Sequence, residues 1–433
     1  MTYAETLSES VRKKARIHAY LACIFGCISE VMLDNSALII IYFTMLDGGD
    51  MLTMMGTSFT GLMGALLYIP SSIIIARTGL KPMVRYACCT GCAGFLLMAA
   101  APWFGTMLAK YIALIGCFIF CIQRCCYGAT WYPMLDVFLR PQDRAGFFGM
   151  MRFFYTGFTG ILFFILGVIL KYDPPLIFMQ SVLAASGLLL LGRYFYIAKF
   201  PDNLRDAPET PDVKKGLSIS MKNGPLTAYS VYLGLFTIAY TSLIPLAYLY
   251  FKQFAGLDDG TVQIISSVGI GGLVTGYLLY SGKLGKLKLK YLELFTHCAY
   301  IIVALSLFFV DRSLPGFPVF AGAVIFLASL AYSVYMCNNS AELLALARPG
   351  NKTVAMAFVQ TYSSAGVAIG RLGSSLILGT SLLAPVWESG GREISRYQTF
   401  FLFSGVMLLV LLFLLPTLPS FIPAHDDYYE PKK

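Results

Sequence analysis

Histidine and tryptophan are scarce in this 433-residue chain, three of each, and Asp, Glu, Lys and Arg together make up only 13% of it. His18, His297 and His425 stand too far apart to share a metal-ligand spacing, and no Gly-rich phosphate loop is present. Metal-centred catalysis and ATP-driven work therefore have no motif to rest on, and no resident metal or cofactor is expected. So little charge also excludes a soluble globule, which carries roughly 25% charged residues. A cleavable leader is not expected either. Arg12, Lys13, Lys14 and Arg16 precede a first apolar stretch too long for a signal peptide and without a small-residue cleavage site, so it reads as a retained span.

What is there instead is apolar sequence, 57% hydrophobic, with a mean hydropathy of +0.70. A bilayer crossing needs roughly 20 mostly apolar residues. Such stretches occur 12 times, at about 17–46, 53–76, 83–104, 107–139, 145–170, 177–199, 225–251, 260–281, 291–310, 317–346, 353–382 and 398–419. With the N-terminus placed in the cytoplasm, 23 Lys and Arg fall on that side, six on the other and three inside spans. This bias follows the positive-inside rule and sets both termini inside. The net charge of +9 then needs no nucleic-acid partner, because insertion and anionic lipid account for it. All 11 cysteines fall in spans, where small residues serve helix packing, and no disulfide is implied.

The longest polar interruption divides the chain. The expected organisation is an N-tail over 1–16, six spans over 17–199, a cytoplasmic linker over 200–224, six spans over 225–419 and a C-tail over 420–433. Loop landmarks repeat between the halves. Pro141-x-Asp143-Arg144 returns 208 residues later as Pro349-x-Asn351-Lys352, and Arg77-x-Gly79 returns 206 residues later as Lys283-x-Gly285. Nearly equal offsets point to a duplication with parallel halves.

Ala76-Arg77-Thr78-Gly79-Leu80-Lys81, between spans 2 and 3, is similar to the hallmark loop of the major facilitator superfamily, with Ala76 where the pattern has Asp. Arg124-Cys125-Cys126-Tyr127-Gly128 in span 4 is similar to that family's Arg-x-x-x-Gly motif. Span 5, with Gly157-Phe158-Thr159-Gly160, lacks the Gly-Pro motif of its antiporters. The resemblance implies an all-α membrane fold of 12 helices in two six-helix bundles and secondary transport by alternating access. It further implies that spans 1, 4, 7 and 10 line a cavity, spans 2, 5, 8 and 11 flank it, and spans 3, 6, 9 and 12 face lipid.

A charge at the bilayer centre costs at least about 2.5 kcal/mol. The deep ones are Glu30 and Asp34 in span 1, Arg124 in span 4 and Arg371 in span 11. Arg85, Arg193 and Glu293 are expected to reach the headgroups from the ends of outer spans. Glu30 and Asp34 are four apart and share a helix face. Two carboxylates so close in low dielectric cannot both ionise easily, and Arg124 is the natural counter-ion of one. Proton symporters of the superfamily pair a span 1 Asp with a span 4 Arg, and Asp34 with Arg124 matches that pattern. Proton coupling is therefore expected, against a structural ion pair or a sodium site helped by Asn35.

Arg371 suits a substrate carboxylate or phosphate, its alternative being a structural bond to backbone carbonyls or to the second acid of span 1. Tyr332 and Asn339 on span 10, Tyr240 on span 7, Gln360 on span 11 and Trp131 on span 4 complete the candidate binding residues. Asp136 and Glu342 end spans 4 and 10 and are expected to meet Arg77 and Lys283 as a cytoplasmic gate. The expectation is a monomeric carrier of a small polar solute in a bacterial inner membrane, an organic anion favoured slightly over a sugar. An exporter of amphipathic compounds, a nutrient sensor and a lipid transporter of the same fold are the alternatives.

Overall fold

A computed structural model describes residues 6–34, 36–140, 143–201, 213–282, 284, 287–310, 312–346 and 352–417. Its helices are α1 (Glu9–Asp34), α2 (Leu38–Met45), α3 (Gly49–Gly56), α4 (Phe59–Thr78), α5 (Leu80–Ala100), α6 (Thr106–Asp136), α7 (Arg144–Leu170) and α8 (Leu176–Ile197). After the linker come α9 (Val213–Met221), α10 (Gly224–Tyr240), α11 (Leu243–Gln253), α12 (Asp259–Gly282), α13 (Leu289–Phe309), α14 (Phe317–Leu346), α15 (Lys352–Leu378) and α16 (Arg396–Leu414). Among the described residues, 11 helical segments are long and apolar enough to cross a membrane. Helix is the form that such sequence must take in hydrocarbon, because each segment then satisfies its own backbone hydrogen bonds. The 27-residue α15 is not among these segments; it carries Gln360, Thr361, Ser363, Ser364, Arg371, Ser374 and Ser375, and it packs against α3, α4 and α10.

Helices before the linker pack mainly on one another, α1 on α7 and α8, α5 on α6 and α8, and α4 on α6. Those after it do the same, α12 on α14, α10 on α15, and α13 on α14 and α16. The two halves meet along two main seams, α7 with α12 and α4 with α15.

Spans expected to be continuous are broken in three places. The first break separates α1 from α2, where the Ser36 hydroxyl accepts from the Leu38 amide at 3.1 Å. The second is at Thr57-Ser58, whose hydroxyls donate back to the Met54 carbonyl at 2.9 and 2.8 Å. The third is at Thr241-Ser242. Ser and Thr hydroxyls compete with the helical ladder, and here they sit at the places where it gives way.

The all-α expectation also needs one addition. A two-stranded hairpin, β1 (Val386–Ser389) and β2 (Arg392–Ser395), pairs Val386 with Ser395 and Ser389 with Arg392. Gly390 and Gly391 make its turn at φ +61° and +77°, a geometry that costs other residues strain. Ser395 and Gln398 then form a capping box that starts α16. Part of the linker is helical too: α9 presents Lys214 and Lys215 outward and turns Leu217 towards the core.

Candidate functional site

Asp34 is the last residue of α1, where the helix dipole already concentrates partial negative charge. A carboxylate there is disfavoured unless a cation answers it. Arg124 of α6 does so, its Nη1 paired with Asp34 Oδ2. The side chains keep 14% (Asp34) and 32% (Arg124) of their surface accessible. Arg124 faces α1 and lies within electrostatic range of Arg371 on α15.

Hydrogen bonds and ion pairs tie the two halves together at the hairpin end. Arg396 and Tyr397 of α16 both bind the Asp50 carboxylate at the start of α3. Ser375 donates to the Met51 carbonyl at 2.7 Å, the Ala37 amide donates to Ser266 Oγ at 3.1 Å, and Ser36 donates to Gln263 Oε1 at 3.2 Å. Each of these joins one half of the chain to the other. Towards the linker end, Arg152 of α7 reaches across to the Cys337 thiol at 3.3 Å and lies over the Tyr277 ring at 5.2 Å.

Arg371 belongs to the closed end. Its Nη1 donates to the Thr57 carbonyl at 2.7 Å and its Nε to the Thr241 carbonyl at 3.2 Å. Both carbonyls sit at helix breaks, where a backbone acceptor has lost its regular partner. Of the two roles open to Arg371 in the sequence, carbonyl bonding is the one this geometry has. Tyr240 and Tyr332 stay within electrostatic range of it.

Glu30, one turn before Asp34, has a different partner. Arg193 of α8 donates to Glu30 Oε1 at 2.5 Å, with its guanidinium 3.8 Å from the centre of the Tyr127 ring and its Nε 3.4 Å from the Ala22 carbonyl. Arg193 is wholly buried, so its expected reach to the headgroups is corrected. Gly26 makes this possible, since a Cβ there would fall 1.6 Å from Arg193 Nε. Glu293 is likewise buried rather than at a headgroup, with Asn338 Nδ2 2.6 Å from its Oε2, while Arg85 is exposed as expected.

The other expected binding residues divide. Tyr240 packs against Tyr300, Phe236, Tyr335 and Tyr332 with ring centres 4.6, 4.9, 5.5 and 6.5 Å away. Asn339 accepts from the Tyr229 hydroxyl at 2.9 Å. Tyr332 and Asn339 are half-buried and Gln360 is exposed. Trp131 is not part of this wall: it is buried 5.4 Å from Tyr127, in the core of the N-terminal half. Lys283 and the side chains of Arg77, Asp136 and Glu342 lie outside the described residues. The Asp50 clasp and the Arg193 pocket escaped sequence reasoning, because Asp50 reads as an ordinary loop acid and Arg193 as an end-of-helix arginine.

Among solved structures, the chain matches a D-xylose-proton symporter at a TM-score of 0.70 and 13% identity, over 98% of this chain and 100% of that one. It matches a mutant of the nucleoside transporter NupG at 0.68 and 16%, over 94% and 99%. It matches the major facilitator superfamily proton:xylose symporter XylE, bound to 6-bromo-6-deoxy-D-glucose, at 0.62 and 12%, over 95% and 96%. This chain has the major facilitator fold. No protein-family model and no curated sequence matches it. With its apolar helices, the fold makes it an integral multi-pass membrane protein. The Asp34–Arg124 pair joins the two helices on which the facilitator resemblance located it.

Proposed function

We propose that this protein is a secondary active transporter that carries a small polar solute by alternating access, driven by symport of protons. Twelve spans form two six-helix bundles, 17–199 and 225–419, in a monomer with both termini in the cytoplasm of a bacterial cell. The hairpin end is then periplasmic and the state described is closed to the outside. The observation that carries the reading is the Asp34–Arg124 pair, placed at a helix C-terminus and still partly accessible, in a chain whose halves are clasped together at the hairpin end.

The chemistry follows from that placement. While Arg124 faces Asp34, the carboxylate is ionised and its proton has left. When the bundles rock and Arg124 turns to substrate, Asp34 is left beside the negative end of α1 and takes up a proton. Proton and solute are thereby bound in the same state and released together.

For the solute, the engagement of Arg371 with two carbonyls removes the main feature that favoured an anion. Tyrosines and an asparagine along α10 and α14 suit a hydroxylated ring, combining apolar contact with hydrogen bonding. The similar structures include carriers titled for xylose and for nucleosides. A neutral hydroxylated ring compound is therefore the first reading and an organic anion the second. Uptake of a panel of sugars, nucleosides and carboxylates into proteoliposomes, with and without an imposed pH gradient, tests both. The proposal expects gradient-dependent accumulation of a neutral member. If no member accumulates faster with the gradient than without it, proton coupling is wrong.

A further inference from the structure

Glu293 on α13 is a carboxyl group 1% exposed, and Asn338 on α14 is 2% exposed. Asn338 Nδ2 donates to Glu293 Oε2 at 2.6 Å. The remaining atom on each side, Glu293 Oε1 and Asn338 Oδ1, is buried without any hydrogen-bond partner. Both are acceptors, and a buried acceptor left bare costs about 1–3 kcal/mol. An ionised carboxylate here would also lack a counter-charge. The titratable groups facing Glu293 are Tyr232 from α10, Tyr335 from α14 and His297 one turn along α13 itself. On α16, which also packs on α13, the titratable side chains are Arg396 and Tyr397, at its far end. Among the described residues no Lys or Arg contributes to the electrostatics of Glu293.

We infer that Glu293 is a second proton-binding site, inside the C-terminal half, with the proton on Oε1 directed at Asn338 Oδ1. A carboxylic acid and a carboxamide then form a closed pair, each donating once and accepting once. One proton thus supplies both orphan acceptors and removes an unpaired buried charge. His297 is wholly buried, its ring stacked on Tyr232 with the Tyr232 hydroxyl 3.1 Å from Nε2. Asn338 is followed on α14 by Asn339, which holds the Tyr229 hydroxyl beside the aromatic wall. Moving α14 therefore disturbs the acid–amide pair and the wall together. Loss of the Glu293 proton would favour a state in which α14 has shifted and water reaches the carboxylate. That last role rests on the transport reading, whereas occupancy by a proton does not.

The test is infrared difference spectroscopy of purified protein in lipid nanodiscs at pH 7, in an Asp34→Asn background so that Asp34 contributes no carboxyl signal. The inference expects a protonated-carboxyl C=O band that is absent in Glu293→Gln, whose amide restores a neutral pair and leaves the fold intact. Asn338→Ala, which removes the partner but keeps the acid, is expected to move that band to higher frequency. If subtracting Glu293→Gln reveals an ionised carboxylate and no protonated band, the inference is overturned. Neither reading uses transport, so failure here leaves proton-coupled uptake standing, and failure of uptake leaves this site standing.

Discussion

Asp34 and Glu30 share a face of α1 yet answer to different arginines. Arg193 is wholly buried against Glu30, Tyr127 and the Ala22 carbonyl, which gives Glu30 a structural part. Removing one partner of a buried pair leaves an uncompensated charge, at a cost of about 3–5 kcal/mol. Glu30→Gln keeps a hydrogen-bond acceptor, so its expected loss lies at or below the lower end of that range, and Glu30→Ala at the upper end. Thermal unfolding in detergent is expected to order them wild type, Gln, Ala, and equal midpoints would contradict the structural role. The sequence identified both acids and Arg124, because charge in an apolar run is costly and therefore conspicuous. It misassigned Arg193 and Glu293, because depth along a helix says nothing of the side on which a neighbour offers a pocket. Gly26 was the one local sign of the Arg193 pocket, and a single glycine in a span has many other uses.

Two groups of element ends carry predictions of their own. At the hairpin end, Asp50 ties the start of α3 to Arg396 and Tyr397 at the start of α16. Asp50→Asn removes the charge and is expected to let the outer clasp open. In a Ser374→Cys background, a membrane-impermeant maleimide added from outside is then expected to label faster, with the unmodified chain as control. An unchanged rate would mean that Asp50 does not hold the clasp. At the other end, Asp143 before α7 binds Arg140 at 3.0 Å and Arg16 of α1 at 2.6 Å, while Glu9 binds Arg12 at 2.5 Å. The hydrogen bond from Arg140, followed by the charge of Arg16, holds the Asp143 carboxyl below the usual aspartate value. A folded value below the unfolded one stabilises above about pH 4 and loses that stabilisation as pH falls further. Hydrogen exchange over residues 9–20 is therefore expected to quicken below about pH 4 in the wild type. In Asp143→Asn it is expected to be fast already at neutral pH. Identical pH profiles would remove Asp143 from this junction. Asp143 is a landmark of the repeat, but one of its partners, Arg16, lies on α1, 127 residues earlier, beyond the reach of local pattern.

The whole molecule was legible mainly through hydropathy. Span positions and the division near residue 200 follow from where apolar runs begin and end, since hydrocarbon admits little besides helix; the facilitator resemblance rests on the loop at 76–81 and the Arg124-x-x-x-Gly128 motif. The breaks at 36–37, 57–58 and 241–242 were not legible, because Ser and Thr inside an apolar run are common in continuous helices as well. The aromatic wall was legible only in part. Tyr240, Tyr332 and Asn339 lie on it, but Trp131 has gone into the other half's core and Arg371 has been drawn to the carbonyls that the breaks expose. What joins these features is the proposed protonation of Asp34. The most direct measurement compares wild type and Asp34→Asn in proteoliposomes for two readouts, accumulation driven by an imposed pH gradient and exchange of preloaded substrate. The account predicts that Asp34→Asn abolishes accumulation above the external concentration while exchange persists at a reduced rate. Accumulation by Asp34→Asn to the wild-type level, under the same gradient, would contradict it.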